Sequence, residues 1–366
     1  MNLKKTILIL LICFFGLILL FGSYARWNSA NPDKTCASCH EISPSVNEWH
    51  NSSHRNVRCT ECHGTAMSNG IHSLKEKANM LFTHLGEKKE HEEIRMTEKQ
   101  VLDLSDKCAK CHQSEYAKWL SGGHSANYGD IFMNGKHNLD EKPYWACLRC
   151  HGMFYEGTIK TLLVEPQKAD GVWKLNDMNI ASNPTIPCLS CHQIHSENEV
   201  LGTIGRHDIP NEISYERQKR NPSISWYIRA DKAHIRADKL FKIPMMDQGN
   251  PIKVSGDAGS KLCMQCHSPN FKHQAGSQDD RTPTGVHEGI SCMACHTPHS
   301  NDARNSCKNC HPAISNCKID VTTMNTTYLD INSPNNIHSV KCSSCHKDVK
   351  ELRARKLKKE IQLMNQ

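Results

Sequence analysis

The strongest constraint in this sequence is one five-residue pattern, Cys-x-x-Cys-His, which occurs nine times in 366 residues and takes up 18 of the 20 cysteines. Its cysteine pairs are Cys36 and Cys39, Cys59 and Cys62, Cys108 and Cys111, Cys147 and Cys150, Cys188 and Cys191, Cys263 and Cys266, Cys292 and Cys295, Cys307 and Cys310, and Cys342 and Cys345. Its histidines are His40, His63, His112, His151, His192, His267, His296, His311 and His346. The pattern is typical of c-type haem attachment, in which two thiols bond to the porphyrin and the adjacent histidine ligates the iron. We therefore expect nine covalent haems with these histidines as proximal ligands.

Two other uses of paired cysteines explain the pattern less well. Zinc sites also use Cys-x-x-Cys, but their looser spacing does not place a histidine directly after every second cysteine. With 23 histidines in 366 residues, chance would put one after all nine pairs with odds of roughly 10⁻¹¹. A disulfide framework likewise requires no histidine beside each pair. The cysteine usage therefore favours haem attachment over both alternatives.

The composition is poor in the residues that build an ordinary protein core. Only 38% of the residues are hydrophobic and 6% are aromatic, which is low for a soluble chain of this length. Nine haems would supply the missing apolar surface. We expect a mostly α-helical fold with extensive irregular loops wrapped around nine c-type haems, a single N-terminal transmembrane helix and little β structure. Such a chain should not fold without its haems, because their binding is part of the folding free energy.

The formal net charge of +7 gives little support for a nucleic-acid partner. Each haem carries two propionates, so nine haems would bring the net charge to roughly −11 if all were ionised. The sequence also contains no nucleic-acid-binding motif. We expect the lysines and arginines to neutralise propionates instead.

An uncharged apolar run covers residues 6–22 and directly follows Lys4 and Lys5. Its length is at the short end for a membrane-spanning helix. We predict a cytoplasmic tail at 1–5 and a transmembrane anchor at 6–25 that contacts the lipid bilayer, with a cleaved signal peptide ending near residue 25 as the alternative. In both cases the lysines stay inside and the haem domain is exported. The expected location is the bacterial inner membrane, with the haem domain in the periplasm.

Fourteen histidines lie outside the motifs, and two histidine ligands on each of nine irons would use nine of them. His54 and His287 each lie five residues before a motif, and His338 lies four before the last one. His195 and His299 follow a motif histidine by three residues, too near to reach the far side of the same iron. The candidate distal ligands are His54, His72, His124, His137, His195, His273, His287, His299 and His338. A solvated histidine is the alternative for each of them.

The N-terminal third carries a family resemblance. The short tail, the apolar run, two motifs 23 residues apart and the sequence IRMTEKQVLDLSDKCAKCH resemble the NapC/NirT/NrfH family of membrane-anchored quinol dehydrogenases. The likeness covers residues 1–115 and extends to 151 at most. It implies oxidation of membrane quinol and transfer of electrons to a periplasmic redox partner protein. One departure is Ile42, where members often carry methionine, so the ligation of the first haem must differ.

Residues 263–312 carry three motifs and resemble the multihaem family of nitrite reductases and hydroxylamine oxidoreductases. This likeness rests on the histidine in GVHEGISCMACH and on the motif that closely follows it. The nitrite reductases usually mark their active haem with lysine in place of the motif histidine. No Cys-x-x-Cys-Lys occurs here, so the most direct sign of nitrite chemistry is missing.

The chain is predicted to form two lobes. We place an N-terminal tetrahaem, quinol-dehydrogenase-like lobe at 26–160, a C-terminal pentahaem lobe at 161–346 and a basic helical tail at 347–366. Residues 71–94 have the apolar spacing of an amphipathic helix, which either packs on the first haems or lies on the membrane beside a quinol pocket. Residues 223–244 are interpreted as a helix whose basic side chains pair with propionates, or alternatively as a cationic pocket for an oxyanion.

Two functions of different class follow from these features. The first is a membrane-anchored electron conduit that passes electrons from quinol along its haems to a periplasmic partner. The second is a quinol-dependent reductase of a small nitrogen or sulfur oxyanion, with one open-coordinate haem in the C-terminal lobe. A structural subunit of a larger respiratory complex is a third reading. The number of irons closed by two histidines distinguishes the first two.

Overall fold

The computed structural model of the protein describes residues 3–30, 42–64, 96–168, 171–195, 224–247, 249–268, 281–300, 303, 307–311, 336–340 and 362. Within these residues the fold is mostly helical with little strand, as expected. The helices are α1 (Leu3–Ala30), α2 (Ser43–Asn51), α3 (Cys59–His63), α4 (Glu98–Ala109), α5 (Gln113–Leu120), α6 (Tyr128–Phe132), α7 (Gly135–Asp140), α8 (Ile159–Leu162), α9 (Ala258–His267) and α10 (Cys307–Cys310). Short 3-10 turns occupy Gly123–Ser125, Trp145–Arg149, Met178–Ile180, Cys188–Ser190, Ala237–Lys239 and Cys292–Ala294.

Several sequence predictions fall outside the described residues. They concern the first and ninth motifs with His40 and His346, the candidate ligands His72 and His273, the helix at 71–94 and all but one residue of the tail at 347–366.

The described strands are short and pair two by two. Three pairs are antiparallel and one, β7 with β8, is parallel. Their bounds are β1 (Leu163–Val164), β2 (Lys174–Leu175), β3 (Ser225–Ile228), β4 (Ala233–Arg236), β5 (Met246–Asp247), β6 (Asn250–Pro251), β7 (Thr284–Gly285) and β8 (Ser339–Val340).

The helix predicted over 223–244 is wrong, because this segment forms the β3–β4 hairpin. Trp226 pairs with Ile235 and Tyr227 with His234. Aromatic and β-branched residues favour extended backbone where they pack against a core, and Trp226 and Tyr227 are both buried. Lys232 turns the chain with a φ of 52°, in the left-handed region that interrupts a helix. The basic residues that suggested a helix therefore lie on a hairpin.

Helix α1 contains one candidate membrane span, Lys4–Arg26, of 23 residues. A helix of that length extends about 35 Å, which is enough to cross a hydrocarbon layer about 30 Å thick. No part of its apolar window is buried inside the protein, and its leucine, isoleucine and phenylalanine side chains are exposed from Ile7 to Phe21. A helix with this surface needs an apolar surrounding.

The described residues form three clusters of buried side chains, of which the smallest consists of Met245, Val254 and Met264. The other two are larger. The first, called the motif core, contacts Cys150 and Cys266 and contains Val101, Met153, Phe154, Leu189, Trp226, Tyr227, Ala237 and Leu240. The second, called the tyrosine core, contacts Cys147 and contains Tyr128, Phe132, Leu148, Leu162, Leu163 and Leu175. Both cores draw residues from both sides of position 160, where the sequence suggests a lobe boundary.

A buried polar pair joins α4 to the tyrosine core. Thr97 caps α4, and its side chain and that of Gln100 form a capping box. This cap fixes the first turn, where Glu98 accepts a hydrogen bond of 2.5 Å from the Tyr128 hydroxyl. Burial raises the pKa of Glu98, and the hydrogen bond from Tyr128 opposes this effect. Gly152 lies against the same tyrosine, because a Cβ there would meet the Tyr128 ring and hydroxyl at 3.0 Å.

The Tyr128→Phe substitution should destabilise the protein by about 1 kcal/mol, because it leaves the partly buried Glu98 carboxyl without its hydroxyl partner. Denaturant unfolding of the haem-loaded protein measures the difference. Tyr155→Phe is the matched control, since the Tyr155 hydroxyl makes an exposed hydrogen bond to Thr161, and it should cost at most about 0.5 kcal/mol. Equal losses in the two variants would contradict a stabilising role for the buried pair.

Candidate haem sites

Each motif that the structure describes in full contains one helical turn. In the third and fourth motifs the histidine N–H donates to the carbonyl of the first cysteine, at 2.9 Å for His112 and 2.8 Å for His151. The fifth, seventh and eighth motifs make the same bond, and the second and sixth lie within α3 and α9. Residues three and four apart share a helix face. The spacing therefore brings both thiols and the imidazole to one side of the backbone, as one porphyrin requires.

The cysteines are available for covalent attachment. None of the 15 described cysteines forms a disulfide. Burial is the main effect that raises the pKa of Cys108 and of Cys191 to about 11. These thiols are therefore protonated at neutral pH and lie against apolar surroundings, where a porphyrin edge fits.

Non-motif histidines approach the motif histidines closely. Six of the seven motif histidines in the described part of the chain face one such imidazole, at ring-centroid distances between 5.9 and 6.3 Å. The pairs are His63 with His195, His112 with His54, His192 with His299, His267 with His124, His296 with His338, and His311 with His287. Every non-motif member of these pairs is one of the candidate distal ligands.

This separation fits two imidazoles on opposite sides of one metal ion. A metal–imidazole bond is about 2.0 Å, and the ligating nitrogen lies about 1.1 Å from the ring centre, so two trans ligands have centroids about 6 Å apart. Stacked rings in direct van der Waals contact would lie closer than this. The six histidine pairs therefore have the spacing that would suit the two axial ligands of six haem irons.

Backbone carbonyls orient two of the non-motif imidazoles. His195 donates from Nδ1 to the carbonyl of Ser45 at 3.0 Å, and His287 donates from Nδ1 to the carbonyl of Ile337 at 3.0 Å. Metal-binding histidines usually donate their second ring N–H in this way, which fixes the tautomer. The Nε2 atom of each ring is then left with a lone pair for a metal ion.

Burial also keeps several of these rings uncharged. It is the main effect that lowers the pKa of His124, His192, His195 and His296, and it lowers that of His267 to about 4. Neutral imidazole is the form that ligates metal. The rings are therefore in the ligating state at neutral pH.

Two tryptophans stand at equivalent places before paired histidines. Trp49 lies in α2 five residues before His54, and its indole donates to the carbonyl of Val57 at 2.9 Å. Trp119 lies in α5 five residues before His124, and its indole donates to the carbonyl of Ile186 at 3.2 Å. Both tryptophans thus lie near the C-terminal end of a short helix, but the Trp49 indole bonds within its own segment and the Trp119 indole bonds to a distant one.

Two further described histidines are a candidate distal ligand and a motif histidine. His137, a candidate distal ligand, is exposed on α7, and the described residues place no motif imidazole beside it. His151, of the fourth motif, is half-buried and directly precedes Gly152.

The basic residues of the β3–β4 hairpin have protein partners. Arg229 donates from Nη2 to the carbonyls of Tyr155, at 2.8 Å, and Gly157. Arg236 forms two hydrogen bonds to Asp238, the shorter of 2.6 Å. His234 donates from Nε2 to the carbonyl of Leu189 at 2.7 Å. The His234 bond holds the hairpin against the fifth motif, and none of these contacts gives direct support to an oxyanion pocket.

Some contacts between motifs were not foreseen from the sequence. Lys107, just before the third motif, donates to the carbonyl of Cys62 at 2.6 Å. Arg149 and Gln265, which lie inside the fourth and sixth motifs, are joined by a hydrogen bond of 3.2 Å. In the sequence these contacts are marked only by a polar side chain within or beside a motif. The partner of that side chain is set by the tertiary structure and cannot be read from the sequence.

Comparisons with known protein families give matches to two parts of the chain. Residues 1–156 match the NapC/NirT cytochrome c family, N-terminal region, and residues 230–297 match the family described as cytochrome c554 and c-prime. No curated protein and no solved structure matches the chain. The second match overlaps the segment that was likened above to nitrite reductases and hydroxylamine oxidoreductases. On these findings the chain is similar to the NapC/NirT family of multihaem c-type cytochromes over its N-terminal 156 residues.

Proposed function

We propose that this protein is a membrane-anchored, periplasmic nonahaem cytochrome that transfers electrons from membrane quinol to a periplasmic redox partner. The six imidazole pairs about 6 Å apart carry the proposal. The match of residues 1–156 to the NapC/NirT family supports a membrane anchor and electron transfer from quinol. The nine motifs supply the haem count.

The proximal ligands are proposed to be the nine motif histidines. His195, His54, His299, His124, His338 and His287 are proposed as the distal ligands opposite His63, His112, His192, His267, His296 and His311, in that order. A c-type haem bound in such a site takes up and releases one electron at its iron. Two histidine ligands leave that iron no position for a substrate, which suits electron transfer rather than reduction of a bound molecule.

The chain holds its motifs close together through direct hydrogen bonds. The Lys107 ammonium ties the third motif to the second, and Arg149 ties the fourth to the sixth. The sulfurs of Cys150 and Cys266 also lie close together. Rigid, closely spaced attachment points favour electron transfer, because they fix the distances between redox groups.

Helix α1 supports the proposed location at a membrane. Helix α1 presents an exposed apolar span, and Lys4 and Lys5 precede it, so the short N-terminal tail is proposed to be cytoplasmic. The rest of the chain then lies in the periplasm, where quinol in the bilayer and a soluble partner protein are both within reach. The second hypothesis, an oxyanion reductase, lacks a specific supporting contact, since both arginines of the hairpin bind protein groups.

The His299→Ala substitution should convert one haem from low-spin to high-spin, because it opens the axial position opposite His192. Electron paramagnetic resonance of the oxidised full-length protein measures the change. His137→Ala is the matched control, since that exposed imidazole faces no described motif histidine, and it should leave the spectrum unchanged. A wild-type spectrum for His299→Ala would refute the assignment, whereas a new high-spin signal for His137→Ala would show that His137 also ligates a haem.

A reduced naphthoquinone analogue should reduce the haems of the full-length protein in detergent, as followed by visible absorbance. A variant without residues 65–95, the segment that holds the predicted amphipathic helix, should lose this reduction but remain reducible by dithionite, with a haem spectrum that changes at most at the one haem that His72 would ligate. Failure of the wild-type protein to accept electrons from the quinol would exclude quinol as the donor. Equal rates in both proteins would exclude a quinol pocket in this segment.

A further inference from the structure

A buried hydroxyl group joins the sixth and seventh motifs. Ser260 lies in the first turn of α9, three residues before Cys263, and it is fully buried. Its hydroxyl accepts a hydrogen bond from the backbone N–H of Cys292 at 3.0 Å. This bond connects the helix that ends in the sixth motif to the first residue of the seventh.

Asp257 holds that hydroxyl in place. The Ser260 hydroxyl donates to Asp257 Oδ2 at 2.6 Å, and the Ser260 N–H donates to Asp257 Oδ1 at 2.9 Å as the N-cap bond of α9. Ser255 donates a third hydrogen bond to the same carboxylate, at 2.5 Å. Burial raises the pKa of Asp257, but these hydrogen bonds outweigh burial and lower it to about 2.

Ser291 completes the contact from the side of the seventh motif. Its hydroxyl lies 3.2 Å from that of Ser260, and it accepts a hydrogen bond from the Met293 N–H at 3.1 Å, which caps the turn of the motif. A serine hydroxyl has one donor and two acceptor positions. In Ser260 the donor serves Asp257, and the acceptors serve Cys292 and Ser291, so its hydrogen-bonding capacity is filled.

The backbone of α9 also approaches the Met293 side chain closely at this point. A Cβ on Gly259 would lie 2.7 Å from Cγ of Met293, so a side chain at this position would have to displace that methionine. One helical turn further on, the sulfurs of Cys263 and Cys292 lie close together. Both are attachment cysteines, one from each motif.

We propose that Ser260, held by Asp257, is a positioning residue that sets the separation and orientation of the sixth and seventh haem attachment segments. The argument rests on the proposed covalent binding of haem by these motifs. The side chain touches neither the motif imidazoles nor a substrate. It acts through the backbone of Cys292 and through the helix face that carries Cys263.

The test compares three variants of the full-length haem-loaded protein. Ser260→Ala should keep nine haems by mass spectrometry, but it should shift at least one reduction midpoint in an optical redox titration and change the low-spin resonance lines. Ser260→Thr retains the hydroxyl and should restore both readouts towards the wild-type values. Ser255→Ala is the control, because Ser255 binds Asp257 without touching the seventh motif, and it should match the wild-type protein.

The outcomes separate positioning from simple stabilisation. Wild-type midpoints and resonance lines in Ser260→Ala, even with a lower unfolding midpoint, would overturn the proposal, as would equal shifts in Ser255→Ala. If Ser260→Ala yields no folded protein, Asp257→Asn is measured in the same way, and unchanged midpoints in it would also overturn the proposal. Absence of covalent haem from the wild-type protein would instead refute the proposed function.

Discussion

Pairs of imidazoles about 6 Å apart connect segments that are distant in the sequence. His63 meets His195, and His124 meets His267, so each pair closes a loop of more than a hundred residues. A metal ion held between two such rings would act as a cross-link, and cross-links that close long loops remove the most entropy from the unfolded chain. The tertiary structure therefore follows largely from which imidazole faces which motif.

The apolar cores alone are modest for a chain of this length. The motif core and the tyrosine core together contain 14 buried residues, and attachment cysteines contact both. Buried apolar side chains thus pack beside the motif cysteines, and the paired imidazoles lie outside these two cores. The hydrogen bonds of Lys107, Arg149 and Ser260 also lie at the motifs, where each joins one motif segment to another.

The sequence predicted the local part of the sites well and the tertiary part only partly. The spacing within each motif implies a helical turn, because it depends on residues three and four apart, and the structure has that turn. The offset of His54 and His287 before a motif singled out histidines that do face another motif. The β3–β4 hairpin was missed because burial alternates along neither strand, so Ser225–Arg236 lacks the two-residue period by which a strand is recognised in a sequence. Ser260 and Ser291 carried no signal at all, because serine is common and its partners are fixed only by packing.

The pairing of His63 with His195 has a consequence for how the protein is made. The second motif leaves the ribosome long before His195 does, so under the proposed ligation its haem would have one axial imidazole during export and would gain the other only when the fifth motif has been exported. The part of the chain that matches the NapC/NirT family ends at residue 156, before that imidazole is reached. A fragment cut at the limit of the family match would therefore keep the attachment cysteines of the second haem and lose the imidazole that faces His63. The segment that matches the family and the segment that would complete the second haem site thus have different boundaries.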